Sequence, residues 1–303
     1  MELAQAFAVE AGLSNLETLA QGLEFNVYKA TSLTHSSVVL RVSKFKVFQN
    51  ANDSNIDARA LVRQEAAILA LLRSAPVPVP RCHGIYEVNG YPAMVCEFMA
   101  ADSATTATAT DDDDDAALGR VAALIHATPI PADWAVELVA MEGFSRTQLP
   151  ALFLKRMRRR FEVLGELEPQ ARDWALDEAT LRAVAEPLLG REPPALLHMD
   201  LRRANVQMRG GEVTAVFDWT NALLAPPVVD AYRSMEWGAQ SEAFLQGYRS
   251  VRPLEAVSER EEAFLRLDAA LVLALVFVSE APDPDRRVGA LRRVQELCDV
   301  LKM

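Results

Sequence analysis

The sequence LLHMDLRRANVQMRGGEVTAVFDW, residues 196–219, carries the most information about how this chain folds. The residues on either side of Gly210-Gly211 alternate between apolar and polar, which predicts two short strands. Two consecutive glycines are typical of the tight turn that joins such strands. A hairpin folded about this turn brings Asn205 within about two residues of Asp218 across the strand pair. We therefore expect both side chains to reach one point.

Three polar residues of this stretch define a candidate chemical site. An amide oxygen from Asn205 and a carboxylate from Asp218 suit a hard, oxygen-seeking ion such as Mg²⁺. Asp200 lies five residues before Asn205, on the approach to the hairpin. From there its carboxylate can face a group held beside the metal, as a base or as an orienting acceptor for a hydroxyl.

The segments HMDLRRAN (residues 198–205) and VFDW (residues 216–219) resemble the catalytic and metal-binding segments of the protein-kinase-like fold. Within that fold they are most similar to the aminoglycoside phosphotransferase and choline kinase group, whose usual motifs are HGDLHPGN and IDW. The resemblance implies an α+β, bilobal fold in which residues 1–99 form a small, β-rich nucleotide-binding lobe with one main helix. Residues 100–303 would form a larger, mostly helical lobe for catalysis and acceptor binding.

Two upstream residues match what the resemblance requires. Arg41 in SVVLRV provides a basic residue on a strand, where many relatives have lysine, and Glu65 in LVRQEAAIL provides a glutamate on the next helix. The resemblance implies that Arg41 bridges the phosphates of a nucleotide and that Glu65 holds this side chain in place. Lys44 and Lys46 are alternative basic residues, although they lie past the end of the strand.

The nucleotide loop is a shorter match. Residues 21–28, QGLEFNVY, resemble the group's turn between its first two strands, which implies backbone contacts to phosphate at Gly22 and Asn26. Because only one glycine is present, an ordinary hairpin is the alternative. The segment MVCEFM (residues 94–99) resembles the end of the fifth strand and the hinge, so backbone groups from Glu97 to Met99 are expected to bind the adenine edge.

The chain departs from the usual motif of the group at three positions after His198. Met199 stands in place of glycine, and Arg202 and Arg203 stand in place of a His-Pro pair. Protein kinases often place a basic residue at the first of these arginine positions, so Arg202 is a candidate catalytic residue that stabilises charge on the γ-phosphate oxygens. A purely local salt bridge is the alternative. Two arginines beside the acceptor also argue against a polycationic aminoglycoside.

The residues after Asp218 favour a small-molecule acceptor over a protein. Trp219-Thr220 follows where protein kinases have Phe-Gly, and only eleven residues separate Asp218 from Asp230, the next structural aspartate that the resemblance implies. This spacing leaves no room for a regulated activation segment. Candidates for lining an acceptor pocket come next, and each has packing or surface exposure as its alternative: Tyr232, Glu236, Trp237, Glu242 and Tyr248.

Hydrophobic patterning extends the prediction along the chain. A helix is expected over residues 57–74, where apolar residues recur at helical spacing before Pro76, and a loop over 44–56. Strands are expected at 16–20, 27–31, 37–42, 81–88 and 92–99, the last two joined by a turn at Asn89-Gly90. Helices are expected at 116–127, about 146–166, about 171–190, 239–249, 255–281 and 284–302, interrupted by β structure at 204–218.

Three charged or polar features are interpreted as structural. The low-complexity segment 100–115 ends in five aspartates, which predicts a solvated loop whose carboxylates favour the N-terminus of the next helix. The basic run of residues 155–160, KRMRRR, predicts a solvated helix with local ion pairs. His126 is expected to make a structural hydrogen bond at the end of its helix.

Composition restricts the possible partners. Half of the 303 residues are hydrophobic, too many for a disordered chain, and a formal net charge of −11 argues against nucleic acid, which needs a basic face. Three dispersed cysteines without a CxxC pair indicate a reduced, cytoplasmic protein. The N-terminus lacks the features of a signal peptide, and the longest apolar run, residues 269–278, is too short to cross a membrane. No protein partner is indicated.

These observations together predict a phosphotransferase that uses ATP or GTP with Mg²⁺ and transfers phosphate to a hydroxyl of a small molecule. An antibiotic or related natural product is the favoured acceptor. A metabolic kinase for choline, a sugar or an amino alcohol is one alternative. A nucleotide-binding module without transfer activity is the other, suggested by Met199 and the single-glycine loop.

Overall fold

An antiparallel sheet dominates the N-terminal part of the chain in the computed structural model, which describes residues 2–52, 55–100, 110–134, 136, 138–139, 148–191, 194–239 and 241–303. The strands, in chain order, are β1 (Leu13–Gln21), β2 (Phe25–Ser32), β3 (Ser36–Ser43), β4 (Val47–Phe48), β5 (Ile56–Asp57), β6 (Cys82–Val88) and β7 (Tyr91–Glu97). Five of them form one sheet in the order β1-β2-β3-β7-β6. The five predicted strands are therefore present, and Asn89 and Gly90 make the predicted turn with φ of +54° and +79°.

Two helices pack against this sheet. The predicted helix is α2 (Ala58–Leu72), which begins where the Asp57 carboxylate accepts the Arg59 N–H at 2.8 Å. Its buried face repeats at helical spacing through Leu61, Ile68 and Leu72, and Glu65 lies on this same face. The helix α1 (Glu2–Glu10) is not among the predicted elements, because so short a helix depends on tertiary packing for its stability.

The C-terminal part of the chain is mostly helical, as predicted, so the α+β prediction is confirmed. Predicted helix 255–281 begins later, and its last turn, Val276–Glu280, is a π-helix. Predicted helix 171–190 divides into the 3₁₀ turn Pro169–Trp174 and an α-helix. The elements in chain order are α3 (Asp111–His126), α4 (Leu149–Leu167), α5 (Glu178–Leu189), β8 (Ala195–Leu197), β9 (Val206–Arg209), β10 (Glu212–Val216), β11 (Leu223–Ala225), α6 (Pro227–Glu236), α7 (Ser241–Arg249), α8 (Glu259–Leu275) and α9 (Pro284–Lys302).

The aspartate run is helical, contrary to the prediction of a loop. Helix α3 begins at Asp111, and Thr110 and Asp113 form a capping box in which each side chain binds the other's backbone N–H. Four aspartates in the first turn are favourable there because the helix dipole places partial positive charge at this end. The rest of the low-complexity segment, residues 101–109, lies outside the described residues.

The predicted hairpin is present as strands β9 and β10. Arg209 pairs with Glu212, so Gly210 and Gly211 form a two-residue turn, and both have positive φ, +57° and +75°. At the open end, the Phe217 N–H donates to the Asn205 carbonyl at 2.9 Å. Asn205 and Asp218 therefore lie on neighbouring strand ends, as the sequence predicts.

Helices α3 and α7 approach each other closely at two glycines. A Cβ on Gly119 would lie 2.0 Å from the Phe244 carbonyl oxygen, and one on Gly247 would lie 1.9 Å from the Ala116 carbonyl oxygen. This contact fixes His126, the last residue of α3, against α7. None of the helices in the described part of the chain combines the length and apolar character that a bilayer crossing requires.

Candidate active site

A cleft of about 1410 Å³ runs between the N-terminal sheet and the C-terminal helices. Nine of the ten predicted site residues line it: Gly22, Arg41, Glu65, Glu97, Met99, Asp200, Arg202, Asn205 and Asp218. Asn26 does not, because its neighbours Phe25 and Val27 on β2 face the cleft and successive side chains of a strand point to opposite faces.

Arg41 joins the two parts of the chain. It lies on β3, opposite Met94 of β7, and its guanidinium stacks over the Phe25 ring with 4.1 Å between Cζ and the ring centroid. Nη1 donates to Glu65 Oε2, and Nη2 donates to Asp218 Oδ1 at 2.8 Å. The predicted pairing of Arg41 with Glu65 is therefore present, and we name Arg41, Glu65 and Asp218 the sheet-side cluster.

The two carboxylates of the sheet-side cluster have opposite pKa shifts. Burial raises the pKa of Glu65, which is 3% exposed, and the charge of Arg41 offsets only part of this effect. Burial also opposes ionisation of Asp218, but the charge of Arg41 and a hydrogen bond from the Thr220 hydroxyl outweigh it, so the pKa of Asp218 is lowered. Asp218 is therefore the more acidic of the two carboxylates.

The loop that carries Asp200 depends on one buried aspartate. Met199 has a φ of +63°, a strained conformation for a residue other than glycine. Its N–H and that of His198 both donate to the Asp230 carboxylate, at 2.8 and 2.9 Å. The Asp230 carboxylate also contacts His126 Nε2 at 3.1 Å, and His126 Nδ1 lies 2.9 Å from the Tyr248 hydroxyl. The expectations that Asp230 and His126 are structural agree with this arrangement.

His198 connects the loop to the segment that ends in Asp218. Its Nδ1 accepts the Asp200 N–H at 3.2 Å, so its Nε2 donates to the Phe217 carbonyl at 2.8 Å. Asp218 follows directly and also has a positive φ, +64°. One neutral imidazole thus sets the spacing between the two candidate aspartates.

Asp200 lies at the cleft with two side-chain partners. Arg202 Nε donates to Oδ1 at 2.9 Å, and Asn205 Nδ2 donates to Oδ2 at 2.6 Å and to the Asp200 carbonyl at 2.9 Å. Burial raises the pKa of Asp200, although the charge of Arg202 opposes the shift. Its carboxylate is therefore a stronger base than an exposed aspartate.

The donor atoms of Asn205 and Asp218 fit a magnesium ion. Both bonds of the Asn205 amide nitrogen go to oxygens of Asp200, so its amide oxygen points away from Asp200. Arg41 and Thr220 engage Oδ1 of Asp218, so Oδ2 remains as a ligand. Magnesium typically takes one or two protein oxygens and completes its shell with water and phosphate, which agrees with this small donor set.

At the sheet end of the cleft, a lysine closes the turn between β1 and β2. Gly22 N–H donates to the Phe25 carbonyl at 2.9 Å, and Lys44 Nζ donates to the Gly22 carbonyl at 2.5 Å. Lys44 lines the cleft next to Arg41, so this alternative basic residue also lies at the site. At the hinge, the Glu97 N–H donates to the Arg81 carbonyl at 2.8 Å, which places the Glu97 backbone in the sheet.

A second charged cluster supports the Asp200 loop from the helical side. Asp268 of α8 accepts from Arg160 Nη1 at 2.7 Å and from Arg233 Nη1 at 3.0 Å, and Arg233 Nε donates to the Met199 carbonyl at 2.5 Å. We name Arg160, Arg233 and Asp268 the helix-side cluster; each is less than 5% exposed. Sequence reasoning missed it, although a charged residue directly before the apolar run of residues 269–278 was a signal.

Two interpretations of arginines need correction. Arg160 belongs to the basic run that was expected to be solvated with local ion pairs, yet it is buried against α8. Arg203 was expected beside the acceptor, but its guanidinium turns to α3 and binds Asp111 and Asp115. Arg202 alone of the two adjacent arginines lines the cleft.

Of the five residues predicted to line an acceptor pocket, only Trp237 lines the cleft. Trp237 lines the cleft, with Arg202 and Arg233 over its ring at 5.3 and 4.9 Å. Tyr248 is fully buried beside His126, and Glu242 is exposed on α7. Glu236 binds Arg266 and Arg293, and Tyr232 stacks under Arg266.

The fold and the site define a class of enzyme, and comparison with known proteins agrees. The model of the phosphotransferase enzyme family matches residues 15–264. The chain belongs to this family and is a small-molecule phosphotransferase. Among curated proteins, none matches the sequence significantly.

Solved structures show the same fold at low sequence identity. A protein assigned as a fructosamine-3-kinase from Haemophilus somnus 129PT is 15% identical, with a TM-score of 0.67 over 99% of this chain and 97% of its own. The aminoglycoside phosphotransferase APH(4)-Ia, as a thermostable mutant with ADP and hygromycin B, is 16% identical, with a TM-score of 0.60 over 99% of both chains. A macrolide 2'-phosphotransferase from Brachybacterium faecium is 20% identical, with a TM-score of 0.58 over 97% of this chain and 98% of its own.

Proposed function

We propose that the protein transfers the γ-phosphoryl group of ATP or GTP to a hydroxyl of a ring-containing natural product, an antibiotic or a related compound. One observation carries the proposal: Arg41 of β3 and the three residues Asp200, Asn205 and Asp218, which lie far from it in the chain, converge on one cleft. A basic residue, a carboxylate base and two metal-ligand oxygens are the groups that phosphoryl transfer to an alcohol requires.

On the donor side, Arg41 would bind the phosphates and Glu65 would hold the guanidinium in position. The hinge around Glu97 and Met99 would bind the base of the nucleotide, with Gly22 over the phosphates. Asn205 and Asp218 would hold Mg²⁺, which when bound neutralises phosphate charge. A neighbouring structure that contains ADP supports a nucleotide donor.

On the acceptor side, Asp200 would accept the proton of the hydroxyl as the oxygen attacks the γ-phosphorus. Its raised pKa favours this role, because a stronger base takes the proton more readily at neutral pH. Arg202 donates to the same carboxylate and keeps its guanidinium at the cleft. This position suits stabilisation of charge on the transferring group, and it equally suits orientation of Asp200.

The wall beyond Asp200 supports a ring-containing acceptor. Trp237 and Phe277 both line it, and each carries an arginine over its ring, Arg202 and Arg286. Aromatic faces bind the flat or apolar surfaces of ring systems, while the arginines disfavour a polycation. Hygromycin B in one neighbour and the macrolide named for another are ring-containing natural products that match this class.

An acceptor panel with the Asp200→Ala variant tests the proposal. Wild-type protein with Mg·ATP or Mg·GTP is incubated with macrolides, aminoglycosides, nucleoside antibiotics, choline and sugars, and the products are identified by mass. We expect one phosphoryl group on a ring-containing product, and loss of at least about 10³-fold in turnover for Asp200→Ala with nucleotide affinity retained. Asp112→Ala, at an exposed position, is the matched control.

Each other outcome has a defined meaning. Turnover that Asp200→Ala leaves unchanged would remove Asp200 from the mechanism. Transfer to choline or simple sugars alone would support a metabolic kinase. Stabilisation by nucleotide without transfer to any member of the panel would support a binding module without transfer activity.

A further inference from the structure

Two cysteines face each other on neighbouring strands at the hinge end of the cleft. Cys82 of β6 pairs directly with Cys96 of β7 in the antiparallel register, so both side chains lie on one face of the sheet. The next pair along the strands is joined by the hydrogen bond from Glu97 N–H to the Arg81 carbonyl. Cys82 and Cys96 therefore occupy a pair without backbone hydrogen bonds, where opposed Cα atoms lie about 4.5 Å apart.

This spacing lies at the short end of the range that a disulfide spans, about 4.4–6.8 Å between Cα atoms. Both thiols are free, and the Cys82 thiol donates to the Gly84 carbonyl at 3.9 Å. Cys82 is half-buried, so small solutes can reach it, whereas Cys96 is 7% exposed. The pair thus combines one accessible thiol with one buried thiol on the directly opposed strand position.

We propose that Cys82 and Cys96 form an oxidation site, in which a peroxide converts the dithiol to a disulfide that weakens nucleotide binding. The effect on nucleotide rests on the proposed function, because Cys96 lines the cleft and precedes Glu97 at the hinge. A bond to β6 would fix the end of β7 at the point where the base of the nucleotide is expected.

The chemistry balances in two steps. The Cys82 thiolate attacks one oxygen of hydrogen peroxide and releases hydroxide, which leaves a sulfenic acid on Cys82. The Cys96 thiol then attacks this sulfur, and water leaves as the disulfide forms. Two electrons pass to the peroxide. Cys82 makes the first attack because it is the more exposed of the two thiols, and its interaction with Cys96 lowers its pKa.

Hydrogen peroxide treatment of the reduced full-length protein tests the site. We expect the intact mass to fall by about 2 Da, for the loss of two hydrogens, and a non-reducing digest to join the peptides of Cys82 and Cys96. Cys96→Ser should stop at a sulfenic acid on Cys82, which dimedone traps. Cys298→Ser is the matched control, since that thiol lies buried on α9 away from the sheet.

Calorimetric titration with Mg·ATP gives the second readout. We expect oxidation to weaken ATP binding about tenfold or more in the wild type and in Cys298→Ser, with recovery on addition of dithiothreitol. Absence of the joined peptides would overturn the oxidation site, and a disulfide that leaves ATP affinity unchanged would overturn its effect. If the reduced protein does not bind ATP or GTP, the proposed function fails while the mass and peptide data still decide the oxidation site.

Discussion

The two charged clusters of this protein have opposite ratios of arginine to carboxylate. In the sheet-side cluster one arginine lies between two carboxylates, and in the helix-side cluster one carboxylate, Asp268, lies between two arginines. The first has a surplus of negative charge and opens to the cleft through Asp218, whose side chain is 37% exposed. The second lies deeper: Arg160 and Arg233 border the cleft, but every member of the cluster is nearly fully buried.

The difference separates a binding role from a structural one. A surplus carboxylate at the cleft can be compensated by a bound divalent cation, such as the proposed Mg²⁺. In the helix-side cluster, burial opposes ionisation of Asp268, but the charges of Arg160, Arg156 and Arg233 together outweigh this effect and lower the pKa of Asp268. Through Arg233 this cluster holds the Met199 carbonyl, so its consequence for chemistry is the position of Asp200.

The largest expected effect is on stability. Asp268→Asn leaves Arg160 and Arg233 buried without a counter-charge, so we expect the free energy of unfolding to fall by about 3–5 kcal/mol. Asp218→Asn makes the same atomic change at the open cluster and is expected to leave the melting temperature nearly unchanged. Urea unfolding of both variants measures the contrast, and equal losses would contradict it.

A reversed order is expected for activity. Asp218→Asn removes charge where phosphate and metal are expected, so we predict a loss of about 10²–10³-fold in kcat/KM and weaker dependence on Mg²⁺. Asp268→Asn, assayed well below its melting temperature, should retain far more activity. Steady-state kinetics on the acceptor found by the panel measure both. Full activity in Asp218→Asn would remove the distinction between the clusters.

The pH dependence of stability distinguishes the clusters by sign. Because the pKa of Glu65 is raised, the folded state takes up this proton first, and stability rises as pH falls from neutral toward about 4.3. Because the pKa of Asp268 is lowered, its contribution is present above about pH 3.9 and is lost as pH falls through the folded-state pKa.

Melting temperatures between pH 7 and 3, without nucleotide, check this prediction. Glu65→Gln should remove the rise, and Asp268→Asn should flatten the loss on the acid side. If the melting temperature depends on pH in both variants as it does in the wild type, neither carboxylate determines the pH dependence of stability.

The smallest expected effect concerns Arg202. Its charge opposes the rise in the pKa of Asp200, so Arg202→Gln should move the acid limb of the pH–rate profile to higher pH. We expect a plateau kcat no more than about tenfold lower, about 1.4 kcal/mol, because the Arg202 side chain is 44% exposed. A larger loss at all pH values without a shift of the limb would assign Arg202 to the transferring phosphoryl group.

Within the predicted site, local spacing gave Asp200, Asn205 and Asp218, and the resemblance gave the other residues. The Gly210-Gly211 turn fixed the register that places Asn205 beside Asp218, and β3 and α2 placed Arg41 and Glu65 on facing surfaces. Asn26 was placed by resemblance, and strand alternation turns it from the cleft. The short helices α1 and α6 were not predicted, and neither were the exact ends of several elements. Contacts with packing partners stabilise such segments more than their own helix propensities do.

The sequence by itself determined the α+β class, most of the elements in their order and the nearness of Asn205 to Asp218, because turn residues and hydrophobic periodicity act over a few positions. Only the tertiary structure decided which charges meet. Arg160 and Arg203 look alike in the sequence, yet one is buried against α8 and the other binds α3. The positive φ at Met199 and Asp218 is likewise imposed by distant partners, Asp230 and Arg41 among them. Interactions between residues far apart in the chain leave no periodic signal, so they become visible only in the folded molecule.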